Sequence, residues 1–210
     1  SPEWRVLCPE MRGRGESEYA RDASTYNPVQ YVEDITALLD DAGIDRMVAI
    51  GTSLGGLMTM IMAMNAADRI AAVMINDVGP WLEPAGLKRI KDYVGQGRSF
   101  PTWVHAARAL EETQEVAHPG RDLPFWIDMA KRVMVLSANG RMVFDYDMKV
   151  AEPFVGMDVE KQPDLWPGLE ALSGKPALIV RGELSDLLSE ATVVRMRARL
   201  PGVEIVTVPG

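Results

Sequence analysis

Cysteine and histidine are scarce in this sequence, and basic residues are outnumbered by acidic ones. Cys8 is the one cysteine among 210 residues, which excludes an internal disulfide and favours a reducing compartment. The formal net charge is −8, with 22 Lys and Arg against 30 Asp and Glu. No cluster of basic residues offsets this acidity, so a nucleic-acid-binding function is disfavoured.

Long hydrophobic runs are also missing. No run reaches the roughly 18 apolar residues that a membrane span requires, and the first residues do not have the basic and then apolar pattern of an export signal. We therefore expect no membrane partner and a cytoplasmic location. The chain is 47% hydrophobic and 25% charged, which is typical of a globular protein with one core domain and room for an insertion.

Short apolar runs alternate with helical periodicity toward both ends of the chain. Strands are predicted at residues 4–8, 47–50, 70–75, 177–180 and 203–208, and the first of them is expected to bury Cys8. Helices are predicted at 28–42, 54–64 and 189–200, with Asn27 and Pro28 as the N-cap and first residue of the first helix. This alternation predicts an α/β fold with a doubly wound, mostly parallel sheet.

The middle of the chain has a different composition. Residues 81–166 contain Pro- and Gly-separated helical stretches, for instance 99–114 and 123–136, and most of the Trp and Phe residues. We predict a mainly helical cap at 81–166, inserted between two core segments at 1–80 and 167–210. Trp103, Trp126 and Phe144 are predicted to line a substrate pocket, although the same clustering suits the core of a helical subdomain equally well.

A Gly-Thr-Ser-Leu-Gly-Gly motif at 51–56 follows a predicted strand and opens a predicted buried helix. This is the strand-turn-helix setting of a nucleophile elbow, in which the serine hydroxyl is exposed above the sheet. Ser53 is therefore predicted to be the nucleophile, and the backbone N–H of Leu54 an oxyanion donor. We expect Gly51 and Gly55 to be glycines because a side chain at either position would collide with backbone. A helix cap without catalytic function is the alternative.

The motif and three further segments resemble the α/β-hydrolase fold family. Pro-Glu-Met-Arg-Gly-Arg-Gly-Glu-Ser at 9–17 is similar to a loop that the family has after its fourth strand, with Glu10 in place of the usual Asp. Asn-Asp-Val-Gly-Pro at 76–80 resembles the entry to the cap, and Arg-Gly-Glu-Leu-Ser-Asp at 181–186 resembles the loop that carries the catalytic acid. The resemblance covers nearly the whole chain.

The resemblance implies a catalytic triad in the order nucleophile, acid, histidine. Asp186 is the first choice for the acid, and Asp77 and Glu183 are the alternatives. His105 and His118 are the two histidines, and both precede Asp186, so neither fits the order. The family also has strands before the loop at 9–17, which supply a second oxyanion donor, and a histidine after its last strand. We therefore expect a portion that lacks both ends and is nearly inactive alone.

The branch that the sequence resembles includes enol-lactonases, carboxylesterases and carbon–carbon bond hydrolases. The resemblance implies hydrolysis of small esters, thioesters or lactones with an apolar acyl or aryl group, through an acyl-serine intermediate. Hydrolysis of carbon–carbon bonds in β-diketone-type substrates is one alternative, and a non-catalytic receptor or pseudoenzyme is another. A small-molecule substrate is the expected partner of a monomer or homo-oligomer, and no metal or other cofactor is expected.

Overall fold

The computed structural model describes residues 3–95 and 97–209, so the two ends of the predicted core, 1 and 210, lie outside the described residues. The strands, in chain order, are β1 (Met47–Thr52), β2 (Ile70–Asn76), β3 (Ser99–Phe100), β4 (Met134–Leu136), β5 (Met142–Phe144), β6 (Ala177–Gly182) and β7 (Glu204–Val208). The helices are α1 (Pro28–Asp41), α2 (Leu54–Ala66), α3 (Pro84–Tyr93), α4 (Trp103–Gln114), α5 (Leu123–Val133), α6 (Trp166–Glu170) and α7 (Glu190–Arg199). Among the residues described, no helix combines the length and apolarity needed to cross a bilayer.

The main sheet consists of four parallel strands in the order β1-β2-β6-β7. Helix α2 connects β1 to β2, and α7 connects β6 to β7, so both pairs are strand-helix-strand units of the predicted kind. Because the strands are parallel, their carboxyl ends meet at one edge of the sheet. The segments that follow β1, β2 and β6 are therefore neighbours, although they are far apart in sequence.

One side of this sheet carries the main hydrophobic core. The strand register places Ala49, Val73, Ile75 and Ile179 on the same face, and each is at most 7% exposed. These side chains join one cluster with residues of α1, α2, α6 and α7, among them Leu39, Met60, Leu169 and Met196. On the alternate face, the side chains are more open, and Val48, Ile50, Val206 and Val208 are between 41% and 72% exposed.

Within the segment between β2 and α6, residues 99–144 have a core of their own, whereas Leu82 and Leu87 of the same segment belong to the main core. Helices α4 and α5 pack together over a small antiparallel sheet with the strand order β3-β5-β4. Its buried residues include Phe100, Ala106, Leu110, Trp126 and Met142. The helix predicted at 123–136 is shorter than expected, since α5 ends at Val133. Met134–Leu136 instead pairs with Met142–Phe144 as a strand.

The loop at 9–27 connects the sheet to this inserted segment. Arg14 and Tyr146 form an isolated antiparallel bridge, and Asp147 N donates to Gly13 O at 2.8 Å. The buried hydroxyl of Tyr26 donates to Asp147 Oδ2 at 2.7 Å. Burial raises the pKa of Tyr26, and the hydrogen bond to Asp147 adds to this effect. The loop is therefore held to the insertion by backbone and side-chain contacts together.

The first apolar run does not form the predicted strand. Residues 4–8 have no strand conformation, Trp4 and Val6 are 64% and 72% exposed, and Cys8 is exposed. The prediction that Cys8 is a buried strand residue is therefore wrong for the structure described. A strand is stabilised by the ladder it shares with a neighbour, and no other described segment pairs with 4–8. Apolar composition alone is not sufficient to form a strand.

Candidate active site

Ser53 occupies a sharp turn between β1 and α2. Its backbone has φ 48° and ψ −112°, a left-handed conformation that costs a serine about 1–3 kcal/mol. The turn is fixed by Ser53 N, which donates to Asn76 O at 3.0 Å, and by Gly56 N, which donates to Ser53 O at 2.9 Å. The Ser53 side chain makes no capping hydrogen bond to α2. The hydroxyl is therefore available for chemistry, which disfavours the alternative of a structural cap.

The glycines of the motif differ in how much space a side chain would have at each position. A Cβ added to Gly51 would collide with the backbone of Gly55 and Gly56, as the sequence predicted for this position. A Cβ at Gly55 would meet nothing within 4 Å, so the prediction for Gly55 is wrong. Gly56 is the second crowded position, because its Cβ would run into the side chain of Val78. Gly51 and Gly56 together let α2 approach the sheet closely.

Leu54 is the first residue of α2. The first N–H groups of a helix have no partner inside the helix, and they lie at the positive end of its dipole. The backbone N–H of Leu54 is thus suited to the predicted role of oxyanion donor next to Ser53. Leu54 also lines a cavity that is described below.

Asp77 lies directly after β2, the strand next to the elbow strand. Its carboxylate accepts from Gly182 N at 2.9 Å and from Ser185 Oγ at 3.0 Å. Both donors are neutral, so they orient the carboxylate without cancelling its charge, and its remaining lone pairs can accept from an imidazole. Asp77 also has φ 54°, and with Ser53 it makes up the non-glycine residues of positive φ in the described chain. Such strained residues cluster at functional sites.

Asp186, the first choice from the sequence, lies in a different environment. Arg89 on α3 donates to both of its oxygens, from Nε at 2.5 Å and from Nη2 at 2.8 Å. These hydrogen bonds are the main reason why the pKa of Asp186 is lowered. Helix α3 also packs tightly here, since a Cβ on Gly86 would lie 2.6 Å from Asp186 O. The geometry suits a carboxylate that docks α3 onto the loop after β6.

The remaining titratable candidates have other surroundings. The Glu183 side chain is exposed, and its backbone N–H donates to Val208 O at 2.8 Å. His105 is exposed on α4, where its Nδ1 lies 2.8 Å from Thr102 Oγ1. The His118 ring packs against Phe125, at 5.5 Å between ring centroids. Within the described residues, no group of three or more His, Cys, Asp or Glu side chains could hold a metal ion.

A cavity of about 620 Å³ lies between the loop at 9–27 and the inserted segment. Of the three predicted pocket residues, Phe144 lines this cavity. Trp126 is 0% exposed in the core of the insertion, and Trp103 packs against the same core. The two tryptophans thus serve the helical subdomain, which was the other interpretation of the aromatic cluster.

Sequence reasoning did not identify several polar residues of this region. Arg89 is 97 positions from Asp186 in sequence, so no local pattern indicates the pair. Three arginines that line the cavity, Arg14, Arg98 and Arg132, were also missed. Asp77 was named from the sequence as an alternative acid, and its position directly after the strand that follows the elbow helix places it at the edge of the sheet that carries the elbow.

Comparison with known sequences gives one consistent family. A sequence profile for the family described as alpha/beta hydrolase fold matches residues 1–210. A 3-hydroxybutyrate-oligomer hydrolase from Cupriavidus necator is 35% identical over 215 residues, which cover 99% of this chain and 72% of the relative. A 2-(acetamidomethylene)succinate hydrolase from Mesorhizobium japonicum is 24% identical over 213 residues, which cover 100% of this chain and 72% of the relative.

Solved structures agree with the sequence matches. The crystal structure of an alpha/beta hydrolase from Novosphingobium aromaticivorans is 57% identical, with a TM-score of 0.91 over 99% of this chain and 73% of that one. The enol-lactonase from Burkholderia xenovorans has a TM-score of 0.59 at 21% identity over 95% of this chain and 70% of its own, which shows the fold alone. The comparisons confirm the fold class predicted from the sequence, and the similar proteins include hydrolases and esterases.

Proposed function

The chain belongs to the alpha/beta hydrolase fold family, and from this premise we propose that it carries the nucleophile of a serine ester hydrolase that acts through an acyl-Ser53 intermediate. The observation that carries the proposal is the strained turn at Ser53, whose hydroxyl is not used to cap α2. Strain of this kind is retained where the surrounding structure holds a residue for function. A serine that only caps a helix does not require a backbone of positive φ.

The chemistry follows from the residues at the carboxyl edge of the sheet. A histidine would remove the Ser53 proton as Oγ attacks the ester carbonyl carbon, and would return it to the leaving alcohol. The Leu54 N–H would stabilise the negative charge on the tetrahedral oxygen. Water would then cleave the acyl-enzyme by the same route in reverse. In each half of the reaction the histidine takes up one proton and releases one, so it ends in its starting form.

We assign the role of triad acid to Asp77, which differs from the first choice made from the sequence. A triad acid must hold the imidazole in the correct tautomer and stabilise its positive charge. Asp77 retains an uncompensated charge because its donors are the neutral Gly182 N–H and Ser185 hydroxyl. Asp186 is already paired with a guanidinium, which leaves it less able to stabilise a second cation. Asp186 remains the alternative that the experiments below test.

The base is proposed to be a histidine outside the 210 residues. His105 and His118 have partners of their own in the insertion, and neither is among the residues that line the cavity next to Leu54. Residues 1–210 would on this proposal hydrolyse esters negligibly by themselves. The variants discussed here are therefore to be made in the full-length protein.

The substrate class is supported by the relative that cleaves 3-hydroxybutyrate oligomers. We propose short esters of small hydroxy acids, which are compact enough for a cavity of about 620 Å³. Phe144 and other apolar residues of the cavity wall would contact the carbon chain. The proposed substrates are therefore more polar than the esters with an apolar acyl or aryl group that the sequence resemblance implied.

The test is covalent labelling with a fluorophosphonate, which reacts with activated serines. We expect the full-length protein to be labelled and Ser53→Ala to lose the label completely. Ser189→Ala is the matched control, because Ser189 caps α7 by accepting from Thr192 N at 3.2 Å. That variant should lose about 1 kcal/mol of stability and keep the label. Labelling that persists in Ser53→Ala would overturn the assignment.

A further inference from the structure

The cavity beside the elbow has an unusual charge for an acidic protein. Three arginines, Arg14, Arg98 and Arg132, line it, although the chain carries a formal net charge of −8. In the ranges 3–95 and 97–209, none of the three forms an ion pair with a carboxylate. Two carboxylates, Glu10 and Asp145, also line the cavity. The wall therefore carries three cationic side chains against two anionic ones, and the three arginines have no direct ion pair within the described residues.

Arg14 is the best positioned of these arginines. It is half-buried, and its backbone is fixed by the bridge to Tyr146. Its guanidinium lies over the ring of Tyr31, 5.3 Å from the centroid, and donates from Nη1 to Tyr31 Oη at 3.2 Å. A guanidinium has five N–H donors, so most of its donors are left for a ligand. Arg98 and Arg132 are exposed and lie at the rim.

The two carboxylates of the cavity wall leave one positive charge in excess, since three arginines line the cavity against Glu10 and Asp145. Glu10 Oε2 accepts from Glu16 N at 2.8 Å, and the Glu10 carboxylate packs against Gly15, where a Cβ would collide with it. Glu10 is thus part of the structure of its own loop. The backbone of Asp145 is held on both sides, since its N–H donates to Val133 O at 3.1 Å and its carbonyl accepts from Gly15 N at 3.1 Å.

We propose that the cavity takes esters that carry a carboxylate, and that Arg14 binds this carboxylate while Ser53 attacks the ester group. The proposal rests on the proposed function and adds the charge of the substrate to it. A planar fork of N–H donors matches a carboxylate in two-point hydrogen bonds. The exposed Arg98 and Arg132 attract anions to the opening and contribute less to the affinity, because solvent screens them.

The kinetic test compares two esters of the same shape and different charge. Monoethyl glutarate carries a carboxylate, and ethyl 5-methylhexanoate has an isopropyl group in its place. We expect Arg14→Gln to lower the ratio of kcat/KM for the anionic over the neutral ester by about 10- to 100-fold, the loss of a charge-assisted contact. Arg14→Lys keeps the charge without the fork and should give a smaller decrease.

The control is Arg46→Gln, which removes the same charge from the opposite edge of the sheet, directly before β1. It should leave the ratio unchanged. A ratio that Arg14→Gln does not change, whether or not both rates fall together, overturns the proposal.

A binding measurement separates this proposal from the proposed function. By calorimetry, glutarate should bind the Ser53→Ala protein, and the additional change Arg14→Gln should weaken binding at least 10-fold. Hydrolysis of neither ester by the unmodified protein would contradict the proposed function, while calorimetry would still decide the role of Arg14. Equal glutarate affinity with and without Arg14 would overturn the carboxylate site.

Discussion

Two aspartates at the same edge of the sheet have opposite surroundings. Asp77, after β2, is held by a backbone N–H and a hydroxyl, whereas Asp186, after β6, is held by the two-point contact of a guanidinium. The Asp77 carboxylate is oriented by neutral donors, and the Asp186 carboxylate is oriented by a guanidinium that compensates its charge. The partner of a carboxylate, more than its place in a familiar motif, indicates whether it can stabilise a catalytic histidine.

The largest expected effect is that of Asp77→Asn. An amide has the shape of the carboxylate but lacks its charge, and one of the two acceptor oxygens becomes an NH2 donor, so kcat for p-nitrophenyl butyrate should fall about 10³- to 10⁴-fold. Steady-state kinetics with an unfolding curve measures this. A decrease of less than tenfold in a folded variant would remove Asp77 from the triad.

Ser185→Ala should have an intermediate effect. Its hydroxyl donates to Asp77 Oδ2 and accepts from Leu188 N at 3.0 Å, so the change loosens the acid and the loop after β6 together. We expect kcat to fall about 10-fold and stability to fall by about 1–2 kcal/mol. Ser185→Thr, which keeps a hydroxyl, is the matched variant and should recover most of kcat. Equal losses in both would mean that the hydroxyl is not responsible.

Arg89→Met tests whether the ion pair of Asp186 contributes to stability or to catalysis. The methionine keeps the apolar stem and removes the guanidinium, so α3 loses its ion pair with the loop after β6. Stability should fall by about 1 kcal/mol, as is typical of a partly exposed pair, and kcat should change less than about 5-fold. Denaturant unfolding and steady-state kinetics give the two values. A change in kcat as large as that of Asp77→Asn would show that the Asp186 environment controls catalysis.

The smallest expected effect is on stability at acidic pH. Arg89 lowers the pKa of Asp186, so the pair contributes stability above the unfolded pKa of about 3.9 and loses it as the pH falls toward the folded pKa. The Asp186 side chain is 34% exposed, so we expect Asp186→Asn to cost about 0.5–1 kcal/mol at pH 7. The difference from the unmodified protein should shrink below about pH 4. Urea unfolding at several pH values measures it, and a difference that grows in acid would contradict it.

The elbow and the main sheet could be predicted because their signals are local. A strand, a Gly-x-Ser-x-Gly turn and a buried helix follow each other within residues 47–66, and each has its own pattern. The start of α1 was also predicted, since Asn27 accepts from Gln30 N at 3.0 Å and Pro28 is the first helical residue. Local chemistry decides such features.

The features that the sequence did not reveal depend on contacts between distant segments. The pairing of Arg89 with Asp186 and of Tyr26 with Asp147 joins positions 97 and 121 residues apart. The strands β3, β4 and β5 have two or three residues each, too few to show a period. Trp126 was predicted to line a pocket and lies instead in the core of the insertion, because both environments favour aromatic side chains and the sequence does not distinguish them.

We propose that Asp77, and not Asp186, activates Ser53 through the histidine. The most direct test is the rate constant of fluorophosphonate labelling in Asp77→Asn and Asp186→Asn side by side, because labelling does not depend on the choice of substrate. We predict that Asp77→Asn slows labelling at least about 100-fold and that Asp186→Asn slows it less than about 5-fold. The reverse order, with Asp186→Asn the slower of two folded variants, would contradict the account.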